Sequence, residues 1–248
     1  MFKPYGFIIS ISILICILVL RKLSEKKNED VLWGLVFWTV ISGIIGARIY
    51  HVVDYVSYYK TSLLSIFMVW NGGLGIWGAV AGGILGSVIY LKKKGENVFY
   101  WLDLISVVLP LGQSIGRWAN FFNHELFGKP TSLPWGIFIG KQYRPLIYRD
   151  ISKYHPLFLY ESILNYFLFL LLLILYKKIH GKTQSGIFLF LYLAGYSVIR
   201  FFLEFLRIDP WKFTLGNSLT LNVSQCISIL VLIVSIVFIE LKFRRVNK

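Results

Sequence analysis

Five ionisable side chains stand in surroundings where a charge is costly: Arg48, Arg117, Glu161, Arg200 and Glu204 all lie in or at the edge of long apolar runs. An arginine or aspartate at mid-bilayer costs roughly 2.5–3.5 kcal/mol on insertion scales. Such groups must face a bundle interior or a wet cavity. Tyr196, Arg200, Glu204 and Arg207 recur at i, i+4, i+8 and i+11, which on a helix aligns a phenol, two guanidiniums and a carboxylate on one face. Two readings are open. The residues form a structural ion-pair ladder between helices, or they form an anion site in which Glu204 holds Arg200, since the planar guanidinium fork suits phosphate.

A second cluster runs from Gly116 to Gly128. Arg117 and Asn120 share a helical face at i, i+3, and Asn123 and Glu125 follow near the surface, so a cation, two amides and a carboxylate could hold a polar lipid headgroup at the interface. His124-Glu125 begins like a zinc motif, but the residue four on from His124 is Gly128, so no metal is expected there. A third cluster, Gly72 to Gly83, formally contains G-x-G-x-x-G without the strand and helix that a dinucleotide site needs. Gly78, Gly82 and Gly86 instead make a small-residue stripe for close helix packing, and Gly72-Gly73 reads as a bent helix entry. His155-Pro156 opens a further apolar run that contains Tyr160 and Glu161, with Pro156 suited to a helix start. Arg48, His51 and Asp54, at i, i+3 and i+6, read equally well as a simple charge cluster at a helix end.

The elements that must position these groups are membrane spans. The 248 residues are 56% hydrophobic and only 15% charged, against about 25% charged for a soluble domain. Apolar runs long enough for a bilayer core predict spans near 5–20, 32–53, 66–91, 98–116, 157–176, 186–206 and 220–241. The fold class expected is all-α: one polytopic integral membrane domain over 1–248 with about seven transmembrane helices. The net charge of +14 gathers between spans, as orientation requires, rather than in a patch for nucleic acid, and no nucleic-acid partner is expected. Arg21 to Lys27, Lys92 to Lys94, Lys177 to Lys182 and Lys242 to Lys248 are the basic connections. They predict a cytoplasmic C-terminus and an N-terminus outside. The first run lacks a cleavage site and reads as a retained span. Residues from about 117 to 156 form one long external loop with turn signals at Pro130, Pro134 and Pro145; loops of that length are usually functional. Cys16 and Cys226 sit inside apolar runs as small hydrophobes.

These clusters, in this order, resemble the prolipoprotein diacylglyceryl transferase family. Residues 116–128 match every fixed position of the family's G-R-x-x-N-F-x-N-x-E-x-x-G signature. The double-glycine entry at 72–83, the H-P-x-x-L-Y-E block at 155–161 and the Y-x-x-x-R-F-x-x-E-F-x-R block at 196–207 match too. Tyr5-Gly6 and Gln225 look like further family positions. The resemblance implies a multi-pass enzyme of the bacterial inner membrane that works without metal or cofactor. It implies transfer of a diacylglyceryl group from phosphatidylglycerol to the thiol of the lipobox cysteine in the signal-peptide region of a prolipoprotein, with release of glycerol phosphate. By carry-over, Arg117, Arg200 and Glu204 are the catalytic candidates. Tyr5, Gly72, Gly73, Trp77, Asn120, Asn123, Glu125, Gly128, Tyr160, Tyr196 and Arg207 are the substrate-binding candidates. Trp77 departs from the pattern, because some relatives carry a histidine there that has been proposed as the base. His51, His124 and His155 are the substitutes to consider. The rival readings are a catalytically inactive relative and a membrane transporter using the same buried charges.

Overall fold

The computed structural model describes residues 4–24, 29–179, 184–215 and 219–246. Lys26, Lys27, Lys182 and Lys248 of the basic connections lie outside the described residues. Among the described residues there are eight α-helices: α1 Pro4–Leu23, α2 Glu29–Asp54, α3 Val56–Thr61, α4 Ile76–Lys93, α5 Val98–Phe122, α6 Leu157–Ile179, α7 Ile187–Leu203 and α8 Val223–Val246. Six of them, α1, α2, α5, α6, α7 with its following turn, and α8, are long and apolar enough to cross a membrane. The chain is therefore a helical multi-pass membrane protein. It divides into two compact units, one of residues 21–101 and one of residues 1–20 with 102–248.

In the unit of residues 21–101, glycines let α2 and α4 meet at backbone distance. A Cβ on Gly82 would run into the carbonyl of Ser42 and lie 3.0 Å from Gly46 Cα, and one on Gly78 would strike the Gly46 carbonyl. The stripe expected from Gly78, Gly82 and Gly86 is thus a packing seam, and its partner is α2. Thr39 Oγ1 and Ser87 Oγ, 2.6 Å apart, add a polar tie. The span expected over 66–91 is corrected: residues 63–67 and 69–71 form single tight turns, and the helix begins only at Ile76. The cause is Gly72 and Gly73, whose φ of 89° and 73° are left-handed and break any helix entering from upstream.

In the other unit, α5, α6 and α7 are joined by polar contacts between apolar faces. Ser162 Oγ donates to the Ser114 carbonyl at 2.8 Å, and Gln113 Nε2 donates to Tyr192 Oη at 2.9 Å. The Asp103 carboxylate accepts from the backbone N–H of Gly186 and Leu189 at 2.7 and 2.8 Å, capping the start of α7. Ser12 of α1 donates to the Gly112 carbonyl at 2.8 Å. Phe190 of α7 stacks on Phe238 of α8 at 3.7 Å.

Helix α5 runs six residues past the expected edge at 116, so Arg117 lies inside it and the long loop starts at 123. Two antiparallel hairpins, β1 Ile137–Phe138 with β2 Lys153–Tyr154 and β3 Lys212–Leu215 with β4 Leu219–Asn222, qualify the all-α expectation. The second hairpin delays the last helix from 220 to 223.

Candidate functional site

The site of interest is centred on Glu161, one of the five costly charges but not one of the catalytic or substrate-binding candidates. Glu161, in the first turns of α6, is completely buried. Its Oε1 accepts from Arg117 Nη2 at 2.5 Å and from Tyr196 Oη at 3.3 Å, and its Oε2 lies 3.7 Å from Arg200 Nη1. Three helices, α5, α6 and α7, therefore each contribute a member. Only the periodicity within α7 was visible in sequence; that α6 supplies the carboxylate facing it is a tertiary fact. The signal available was Glu161 itself, a carboxylate in an apolar run.

Glu204 extends the group. It is also buried, and its Oε2 pairs with Arg200 Nη2 at 3.1 Å and Arg207 Nη1 at 3.7 Å. The expected face of Tyr196, Arg200, Glu204 and Arg207 is assembled, but not by a continuous helix. Helix α7 ends at Leu203, a single tight turn covers Glu204–Leu206, and Arg207 is already extended. Tyr192 stacks beneath Tyr196 with ring centroids 5.8 Å apart.

Three guanidiniums face two carboxylates, leaving one surplus positive charge. Arg117 and Arg200 keep 25% and 18% of their side-chain surface exposed, so the group is open on one side. Its hydrogen bonding is incomplete: Arg117 Nε, Glu161 Oε2 and Glu204 Oε1 are buried and have no hydrogen-bond partner among the described residues. Buried donors and acceptors are normally satisfied.

The signature block beyond Arg117 forms a rim. Asn120 and Asn123 both direct Nδ2 at the Glu125 carboxylate, at 3.4 Å each. Glu125 is flanked by His124 and Leu126 at φ of 55° and 56°, a conformation costly for a leucine. Gly128 is a joint where three blocks meet. Its N–H donates to the His155 carbonyl at 2.8 Å, Lys129 N–H donates to the Leu206 carbonyl at 2.8 Å, and a Cβ there would lie 2.8 Å from that same Leu206 oxygen. The glycine is thus structural and holds the loop against the end of the α7 face.

Other candidates make other contacts. Tyr160 Oη is bonded to Trp135 Nε1 at 2.8 Å and His155 Nδ1 at 3.2 Å, tying α6 to the loop rather than joining the guanidiniums. Tyr5 opens α1 with two-fifths of its surface exposed and no hydrogen bond to the group. Gly72, Gly73 and Trp77 belong to the unit of residues 21–101, where Trp77 is 71% exposed on the first turn of α4.

Arg48 also corrects the reading of a helix-end charge cluster. It is buried while Asp54 is exposed. Its Nε donates to the Ile66 carbonyl at 2.7 Å, Nη1 to Gly72 and Gly73 at 2.7 and 2.9 Å, and Nη2 to Met68 at 3.4 Å and to Ser65. Beside it a cavity of about 250 Å³ is lined by His51, Tyr58, Tyr59, Gly72 and Gly73, with His51 Nδ1 and Tyr59 Oη 3.1 Å apart. Of the other histidines, His124 stacks on Tyr143 at 4.2 Å.

Comparison with known proteins bears on what such a site does. A family model described as prolipoprotein diacylglyceryl transferase matches residues 1–241. The chain is similar to the phosphatidylglycerol–prolipoprotein diacylglyceryl transferase of Thermotoga maritima, 42% identical over 220 residues, covering 86% of this chain and 72% of that protein. It is similar also to proteins of the same name from Prochlorococcus marinus, 39% identical over 225 residues with 83% and 75% covered, and from Synechocystis, 36% identical over 230 residues with 91% and 80% covered.

Proposed function

This chain belongs to the prolipoprotein diacylglyceryl transferase family, and from that premise we infer how its residues perform the transfer. The enzyme moves the diacylglyceryl group of phosphatidylglycerol to a prolipoprotein, the first step of lipoprotein maturation. The acceptor is the thiol of the lipobox cysteine. The membrane is the bacterial inner membrane. The chain is a single integral domain that crosses it seven times with the C-terminus cytoplasmic. Helix α4 supplies the seventh span: 18 residues rise about 27 Å, close to the hydrocarbon thickness of about 30 Å. Arg21 and Lys22, Lys92 and Lys93, and Lys177 and Lys178 close the helices that would end on the cytoplasmic side.

The observation that carries the mechanism is the surplus charge around Glu161. A phosphodiester brings one negative charge, which the surplus guanidinium neutralises. In the proposed pose, the exposed edges of Arg117 and Arg200 hold the phosphate oxygens. Asn120, Asn123 and Glu125 form the rim, Tyr196 steadies Glu161, and Arg207 steadies Glu204. The acceptor sulfur attacks C3 of the diacylglyceryl unit, the carbon esterified to the phosphate. A C–S bond forms, the C–O bond breaks with its electron pair going to oxygen, glycerol phosphate departs, and the thiol proton is released. Charge grows on the departing phosphate, where guanidiniums fixed in advance stabilise it most. The same positive field favours the thiolate. An ion-pair ladder serving packing alone would balance its charges, whereas three guanidiniums here share two carboxylates.

The test is mass gain of a lipobox peptide incubated with phosphatidylglycerol and purified protein. Arg117→Ala and Arg200→Ala each abolish the gain while the protein still inserts in the membrane. Retained turnover in either variant refutes its assigned role, and uptake of peptide without mass gain favours a transporter.

A further inference from the structure

We propose that the loop between α5 and α6 carries a foot that inserts into the surface of an anionic bilayer leaflet: the turn at Leu146 and Ile147, surrounded by basic residues. Leu146 and Ile147 are 83% and 77% exposed, side by side on one tight turn, Leu146–Tyr148. Phe138, 71% exposed, lies under the Arg144 guanidinium at 5.4 Å from its ring centroid.

The turn is held from behind. Arg144 donates through Nε to the Ile139 carbonyl at 2.8 Å and through Nη1 to the Arg149 carbonyl at 3.0 Å. Tyr154, fully buried, donates to the Tyr148 carbonyl at 2.8 Å. Two aliphatic side chains are thus fixed outward on a braced support, which is unfavourable in water and favourable at a lipid interface.

Charge complementarity selects the occupant. From residue 123 to 156 there are five basic residues, Lys129, Lys141, Arg144, Arg149 and Lys153, against Glu125 and Asp150. Lys141, Arg149 and Lys153 are exposed around the turn. Basic residues beside an apolar anchor are attracted to anionic lipid near the surface. Both ends of the loop join apolar helices long enough to span a membrane, α5 and α6, so the leaflet beside those helix ends is within reach. A foot there would hold the loop on the same surface from which an anionic lipid substrate is drawn.

The experiment uses full-length protein with Cys16→Ser and Cys226→Ser, carrying a single environment-sensitive fluorophore at Ile147→Cys or, as control, at Ser132→Cys. Each is reconstituted into vesicles of phosphatidylcholine with phosphatidylglycerol, some with brominated acyl chains. Transferase activity of each labelled protein in the vesicles that contain phosphatidylglycerol reports that it is folded. The expected result is quenching by brominated lipid at least threefold stronger at position 147 than at 132, reduced at least twofold in vesicles of phosphatidylcholine alone. Equal quenching at the two positions overturns the proposal, and so does quenching that ignores phosphatidylglycerol. Shielding of position 147 that appears only when lipobox peptide is added also overturns it, assigning the turn to the peptide instead. None of these readouts depends on which residues catalyse the transfer.

Discussion

Replacing Glu161 by glutamine changes one oxygen for an amide and removes the carboxylate that Arg117, Arg200 and Tyr196 share. Glu161 touches two guanidiniums, at 2.5 and 3.7 Å, and is itself fully buried. Removing one partner of a buried ion pair costs about 3–5 kcal/mol. The lower end applies here, because both arginines keep part of their surface in contact with solvent. If about 3 kcal/mol of that cost falls on the alignment of the guanidiniums with the departing phosphate, kcat drops on the order of 10²-fold. The surplus positive charge of the group rises from one to two, so KM for phosphatidylglycerol does not increase. The assay is steady-state lipidation of a lipobox peptide in mixed vesicles, with thermal unfolding of the same preparations. Arg117→Gln, Glu161→Gln and the double variant close a cycle in which the double loss is smaller than the sum of the singles. A kcat within about threefold of the parent, or strictly additive losses, would refute a shared ion group centred on Glu161.

Asp103→Ala removes the acceptor for two N–H groups that open α7; it lowers stability by about 1–2 kcal/mol, read as a fall in Tm, with activity kept at low temperature. Gly82→Ala forces a Cβ into the Ser42 carbonyl, whereas a Cβ on Gly83 meets Thr39 only at ordinary contact distances of 3.5 and 3.6 Å. The first variant is therefore destabilised by about 1–3 kcal/mol and Gly83→Ala is not, which comparison of their melting temperatures checks. Burial pushes the Tyr154 phenol above its usual value of 10.0. The neutral form is the one the folded loop favours, so its contribution is complete below pH 10 and is lost as pH climbs through the raised value. Tyr154→Phe loses one hydrogen bond, about 1 kcal/mol, and flattens the alkaline limb of a stability profile followed by protease cleavage of the loop.

Much of this was legible in the sequence, for reasons of periodicity and cost. Apolar length marked seven spans, six of which correspond to helices long and apolar enough to cross a membrane, and charges inside them marked Arg117, Arg200 and Glu204. Spacing of glycines marked a close seam. Periodicity tells which residues share a face, however, and not which helix stands opposite. That is why Glu161 was seen as buried while its central place went unread: its partners lie 44 residues before it, on α5, and 35 residues after it, at Tyr196 on α7. The same limit applies to Tyr160, adjacent to Glu161 in the chain but bonded to the loop. The tight turns at 63–71 were hidden because their residues are as apolar as those of a span. Only the two left-handed glycines reveal that the helix starts later.

The five N–H groups of Arg48 are all committed to carbonyls of residues 65–73. A scan that replaces each buried cation in turn would therefore score Arg48 beside Arg117 and Arg200 for an unrelated reason. In one case part of the guanidinium stays exposed beside a shared carboxylate. In the other the cation is a mooring for the main chain, with nothing left to offer a visitor. Lysine, with three donors, cannot replace it, and the loss at that position would register first as a collapsed segment ahead of α4.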